Sequence, residues 1–210
     1  GYIVYEHFEG MEGKKLLGCW AHARRKFFEA KAENEKLALE ALSYIRRLYD
    51  VEAEADALDA ADNKPDHERR KALRQEKAYP EIKKLETWME ASILKCPPKS
   101  LMEEAISYTY KILKKLSLYV TDGRYKIDDN MVENSIRPLA IGRKNYLFCG
   151  DDDAAQRAAV VYSLLATCKA HGVNERAWLE DVLRRIPEYE QAGKDYADLL
   201  PANWRALSAK

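Results

Sequence analysis

The sequence predicts a mainly α-helical protein with only a few short strands. Three observations point there. Apolar residues recur at three- and four-residue steps over long stretches, the period of one helix face. Clear breakers divide those stretches, among them Asp62-Asn63-Lys64-Pro65 and Cys96-Pro97-Pro98. Strand-like text is confined to two short pieces, Lys15–Gly18 and Tyr146–Cys149.

Taken in order, Tyr2 to Phe8 is short and aromatic, and Lys15–Gly18 reads as a strand. Helical text starts at Trp20. Trp20, Ala23, Phe27 and Phe28 fall near one face, and Arg24, Arg25 and Lys26 take the other side. Such a basic strip suits phosphate contacts, although a plain solvated face gives the same pattern. Leu37, Ala41, Ile45, Leu48, Ala55 and Leu58 mark a long amphipathic helix. A second helical region spans Asp66 to about Leu94, with Pro80 kinking or restarting it. Ser100-Leu101-Met102-Glu103 is a capping box for a third helix running to Tyr119. Their lengths and short connections predict an antiparallel bundle.

Asp128 or Asp129 is placed to cap a short helix bearing Glu133, with Arg137 one turn later on the same face. Pro138 is expected to end it. Glu133 beside Arg137, Arg143 and Lys144 suits a site that holds a metal-bound phosphate. The same residues also make an ordinary i,i+4 ion pair on a capped surface helix. Asp151-Asp152-Asp153 places negative charge at a helix start, a capped terminus rather than a metal site. Ala154 to Ala170 is helical, with Ala158, Val161, Tyr162, Leu165 and Cys168 as its inner face and Gly172 ending it. Asn174 caps a helix carrying Trp178, Leu179, Val182 and Ile186, which Pro187 is expected to stop. The tail to Lys210 reads as largely irregular.

Lys+Arg and Asp+Glu both total 35 in 210 residues, so the formal net charge is zero. The global basic excess common in DNA-binding domains is absent, and any DNA contact must come from local patches. No apolar run approaches the length of a membrane span. The four cysteines, Cys19, Cys96, Cys149 and Cys168, are too sparse for a disulfide scaffold and fit a reducing cytoplasm. Cys19/His22 and Cys168/His171 together offer four zinc-type ligands. Both pairs sit in apolar-periodic text, where cysteine also serves as a small core residue.

The wording of several segments carries more. D-D-N-M-V-E-N-S-I-R-P at 128–138 and G-R-K-N-Y-L-F at 142–148 resemble the D-N-N-x-x-E-x-x-I-R-P and G-R-K-N-W-L-F of the bacterial insertion-sequence-66 transposase family. Gly18 to Ala30, Asp122-Gly123-Arg124, Ala158 to Gly172 and Leu199-Leu200-Pro201-x-x-Trp204 follow in family order. The resemblance implies the C-terminal part of an RNase H-like DDE transposase core interrupted by a helical insertion. It divides the chain into a core remnant at 1–29, an insertion bundle at 30–120, a catalytic-Glu segment with a core helix at 121–172, and a C-terminal helix and tail at 173–210.

It also implies roles. Glu133 is the third catalytic and metal-holding carboxylate, with Mg2+ as the ion and Mn2+ as its substitute. Arg137 and Lys144, then Arg143, Arg24, Arg25, Lys26 and Arg157, contact DNA at transposon ends and target. His22 is a neighbour of the active site, since related transposases place a C-x-x-H pair there. The parent is expected to act as a homo-oligomer on the nucleoid. The second Asp would stand immediately before Gly1 and the first further upstream, so this polypeptide alone is expected not to cut DNA. The competing expectation is a non-catalytic helical module that binds DNA or protein.

Overall fold

In the computed structural model, which describes residues 11–146 and 148–207 (side chains of 131, 132 and 205–207 excepted), α1 is Trp20–Ala30 and α2 is Glu35–Ala61. The Asn34 side chain accepts the Leu37 N–H at 3.1 Å and opens α2. Asp66 does the same for Arg69 at the start of α3, His67–Leu73. A π-helical turn, Arg74–Ala78, joins α3 to α4, Tyr79–Ile93. Pro80 lies in the first turn of α4, where its missing N–H and its ring are tolerated after the widened turn. It restarts the helix, one of the two outcomes expected of it. The Ser100 hydroxyl accepts the Glu103 N–H at 3.1 Å and opens α5, Leu101–Lys111. Only half of a capping box forms, because Glu103 accepts from Ser107 and the Ser100 N–H goes to Pro97.

The chain divides into two compact units, Gly1–Met131 and Val132–Lys210. In the first, α1 packs on α5 and α2, and α4 packs on α2 and α5. Trp20, Phe27, Ile45, Leu48, Leu85, Met89, Ile106 and Leu116 are fully buried between them. Phe27 meets Trp88 edge-on at 6.3 Å, and the Trp20 indole donates to the Leu116 carbonyl at 3.0 Å. The third helix does not run on to Tyr119. It breaks at Ile112 (φ −102°, ψ 9°) into α6, Leu113–Ser117, and a 3-10 turn, Leu118–Thr121.

One buried cation ties this unit together. Arg74 has no solvent exposure, and all five of its N–H groups are used. Nε and Nη2 donate to Glu52 at 2.7 Å each. Nη1 donates to the carbonyls of Tyr119 (2.9 Å) and Asp122 (2.8 Å), and Nη2 also to that of Tyr125 (3.0 Å). Arg70 joins through Glu52, Asp56 and Asp59, and their hydrogen bonds and charge raise its pKa despite burial. The same turn requires Gly123, where an added Cβ would sit 1.9 Å from the His67 carbonyl oxygen.

The second unit is built from the rest of α7, Asn130–Gly142, with α8, Asp152–Ala170, α9, Glu175–Ala192, a 3-10 turn at Tyr196–Leu199 and α10, Pro201–Leu207. Asp151 and Asn174 cap α8 and α9 by accepting from Ala154 (2.7 Å) and Ala177 (2.9 Å). Cys168, Val173, Trp178, Val182, Tyr189 and Leu199 make its core.

Several local expectations are corrected. No strand forms among the described residues. Lys14–Cys19 is irregular, and so are Tyr146, Phe148 and Cys149, Leu147 lying outside the described residues. Pro138 and Pro187 do not end their helices but lie inside them. Asn134 and Leu183, whose carbonyls lose their i→i+4 donors, are both exposed, so water can satisfy them. Helix α9 ends at Gly193 in the left-handed region (φ +58°), with the Lys194 N–H on the Tyr189 carbonyl at 3.0 Å. Among the described residues the tail is not largely irregular, since it forms the Tyr196–Leu199 turn and α10, with Leu199 and Trp204 packed on the second core. Phe28 and Val161, expected inside, are 59% and 50% exposed. The expected segment Tyr2 to Phe8 lies outside the described residues.

Candidate functional site

Two backbone hydrogen bonds bring distant text together. The Gly18 N–H reaches the Lys115 carbonyl at 2.9 Å, and the Trp20 N–H reaches the Ile127 carbonyl at 3.1 Å. Gly18 is needed for this approach, because a Cβ there would lie 2.9 Å from the Leu116 nitrogen. The start of α1 is thereby held against the segment that leads into α7.

Cys19 immediately precedes α1 and His22 lies one turn further on, so their side chains share a face. Asp129 immediately precedes α7. The Cys19 thiol donates to Asp129 Oδ1 at 2.7 Å, and His22 Nδ1 lies 3.9 Å from the same oxygen. Burial, together with the hydrogen bond to Asp129, pushes the Cys19 thiol up to about 11. Asp128 turns elsewhere. It accepts from the Tyr49 hydroxyl at 2.9 Å, the Asn130 side chain at 2.8 Å and the Asn130 N–H at 3.2 Å. Burial and this carboxylate also raise the Tyr49 phenol.

Beside this cluster runs an open groove of about 910 Å³ in the first unit. Arg24, Arg25 and Arg46 line it with Phe28, Leu39, Tyr49 and Asn130. Phe28 and Leu39 stay exposed, so the groove offers guanidinium groups beside apolar and aromatic surface. Lys26 is not among the lining residues and stands 5.3 Å over the Tyr108 ring instead. Sequence reasoning missed Arg46. Its signal was its place on the exposed side of α2, which only packing sets opposite Arg24 and Arg25. Arg137, Arg143 and Lys144 are exposed in the second unit, as is Glu133 in the first turn of α7. Arg157 is exposed on α8. The partner pair Cys168/His171 is unlike the first: Cys168 is fully buried in the apolar core and burial raises its thiol.

Comparison with known families settles the lineage. Residues 1–157 match the model described as Transposase IS66 family, and residues 163–202 match the IS66 C-terminal element. The chain belongs to the IS66 transposase family. Both the Cys-His-Asp cluster and Glu133 lie in the first match, and most of the second unit's core lies in the other. Three proteins of Sinorhizobium fredii (strain NBRC 101917 / NGR234) are similar over most of this IS66 chain. The uncharacterized protein y4qI is 35% identical over 98% of the chain and 38% of its own length. The uncharacterized protein y4hP is 33% identical over 91% of the chain and 35% of its own length. The uncharacterized protein y4jD is 32% identical over 98% of the chain and 40% of its own length. The chain thus spans well under half the length of the curated relatives it matches. No solved structure matches. Among the described residues no helix is long and apolar enough to cross a membrane.

Proposed function

We propose that these residues form the Glu-bearing part of a DDE transposase, which cuts and joins DNA at transposon ends and target. The observation that carries this reading is the family match over residues 1–157, with Glu133 inside its D-D-N-M-V-E-N-S-I-R-P segment. Glu133 is an exposed carboxylate at a helix start, and its oxygens fit a hard divalent ion, Mg2+ or Mn2+. Two further carboxylates belong to that set, as the resemblance implies, in the parent. A divalent ion in such a set activates the attacking oxygen and offsets phosphate charge. The chain's own cations have a simpler task. Arg137, Lys144 and Arg143 hold the DNA backbone beside Glu133, while Arg24, Arg25 and Arg46 hold it along the groove. His22 borders the reaction site. The parent works as a homo-oligomer in the bacterial cytoplasm, on the nucleoid.

The test is strand transfer with Mg2+ by the full reading frame that encodes these residues. Glu133→Gln keeps the side-chain shape and removes its charge. It abolishes strand transfer and leaves DNA binding within about twofold, since the affinity comes from the cations that pair with phosphates and Glu133 is not one of them. Strand transfer that survives Glu133→Gln overturns the catalytic assignment. Absence of DNA binding by the wild type overturns the DNA reading and favours a helical protein-interaction module, which the balanced charge would suit.

A further inference from the structure

We propose that Cys19, His22 and Asp129 form a binding site for one borderline-soft divalent cation of the zinc class, separate from the catalytic carboxylates. One ligand atom from each of the three residues lies within 4.8 Å of the others. Zinc bonds of about 2.0–2.3 Å in tetrahedral geometry set ligand atoms about 3.5 Å apart. The present spacings, 2.7 Å between Cys19 Sγ and Asp129 Oδ1 and at most 4.8 Å within the set, bracket that value. The residues come from two segments 110 positions apart, held together by the Trp20–Ile127 hydrogen bond. Asp128 is engaged by Tyr49 and Asn130, which fixes the loop and turns Asp129 toward the cysteine.

The donor set selects the ion. Sulfur, imidazole nitrogen and carboxylate oxygen suit Zn2+ or Co2+, whereas Mg2+ takes oxygen ligands. His22 and Asp129 are 39% and 48% exposed, so the ion has an entry path and water can fill a fourth position. On binding, the Cys19 thiol proton leaves to solvent, and the S–H···O hydrogen bond is replaced by bonds from sulfur and oxygen to the ion. Metal binding would pin the start of α1 to the residue that opens α7. The proposal does not depend on the catalytic reading, because neither Glu133 nor any upstream residue takes part.

The 210-residue chain, stripped with a chelator, is titrated with Co2+ and followed by absorption. The expected result is a thiolate-to-cobalt charge-transfer band that saturates at one equivalent, is abolished by added Zn2+ and is unmoved by excess Mg2+. Cys19→Ser removes the band. Asp129→Asn and His22→Ala weaken Co2+ binding by at least about 10-fold, the lower end of what even outer-sphere changes cost. Cys168→Ala, which removes the thiol of the other C-x-x-H pair, leaves the band in place. No thiolate band in the wild type overturns the proposal without recourse to any variant. So does a band that survives Cys19→Ser, or one that is lost with Cys168→Ala while helical circular dichroism is kept.

Discussion

The Cys19 thiol donates to Asp129 at 2.7 Å, and its ionisation is pushed up to about 11 by burial and by that carboxylate. Its charged form is the disfavoured one, so Cys19 stays protonated through neutral pH. That rise leaves a much smaller thiolate fraction below pH 9 than an ordinary thiol has. The greater nucleophilicity of a more basic thiolate recovers about half of that on a logarithmic scale. With chelator present, alkylation of Cys19 at pH 8 is therefore expected to run about 10-fold slower than that of a small-molecule thiol such as N-acetylcysteine. The rate should climb as pH rises from 9 toward 11, and Asp129→Asn should quicken it at pH 8. Peptide mapping after timed iodoacetamide treatment measures this, and a Cys19 rate equal to that of the small-molecule thiol would refute it. The motif made Cys19 and His22 visible in the sequence. Their third companion was not, because a hydrogen bond across 110 residues leaves no local trace.

Among the elements, the π-turn Arg74–Ala78 decides most. It buries Arg74 against Glu52 and three carbonyls, and so fixes the route from Tyr119 to Tyr125 that feeds Ile127, Asp128 and Asp129. Truncating a buried ion pair on one side leaves the other charge uncompensated. Arg74→Ala is expected to cost about 3–5 kcal/mol, read as a lower urea midpoint with an unchanged slope. A loss under about 1 kcal/mol would mean that water replaces the guanidinium. Nothing in the sequence singles Arg74 out from its neighbours Arg69, Arg70 and Lys71, since a helical basic run normally means a solvated face. Caps were easier. Ser100, Asp151 and Asn174 bond N–H groups within three residues, so text and structure coincide there. Pro138 and Pro187 misled for the opposite reason. Whether proline ends a helix depends on whether the orphaned carbonyl meets water, which is a matter of burial.

At the scale of the whole chain, zero net charge means that DNA affinity rests on local surface. The groove supplies three guanidinium groups from α1 and α2. The 210-residue chain is expected to bind duplex DNA without sequence preference, at the weak end of the usual range on the order of 10⁻⁴ to 10⁻⁶ M. Affinity should fall steeply with salt. Arg24→Ala/Arg46→Ala should lower the log–log salt slope by about 2, one unit per lost phosphate contact. Arg137→Ala/Lys144→Ala tests the second unit in the same way. Fluorescence anisotropy at low and moderate salt measures both, and binding that neither double variant changes would place the DNA elsewhere.

By itself the sequence determined the helical class, the caps at Ser100, Asp151 and Asn174, the motif around Glu133 and, through several such motifs in order, the family. All of these depend on residues within about one or two helical turns of one another, where period, capping and wording are written in order along the chain. Only the tertiary structure decided that Arg74 is a buried tie, that Arg46 faces Arg24 and Arg25, and that Asp129 meets Cys19 and His22. Each of these depends on which helix face packs on which, and a sequence period fixes a face without naming its neighbour.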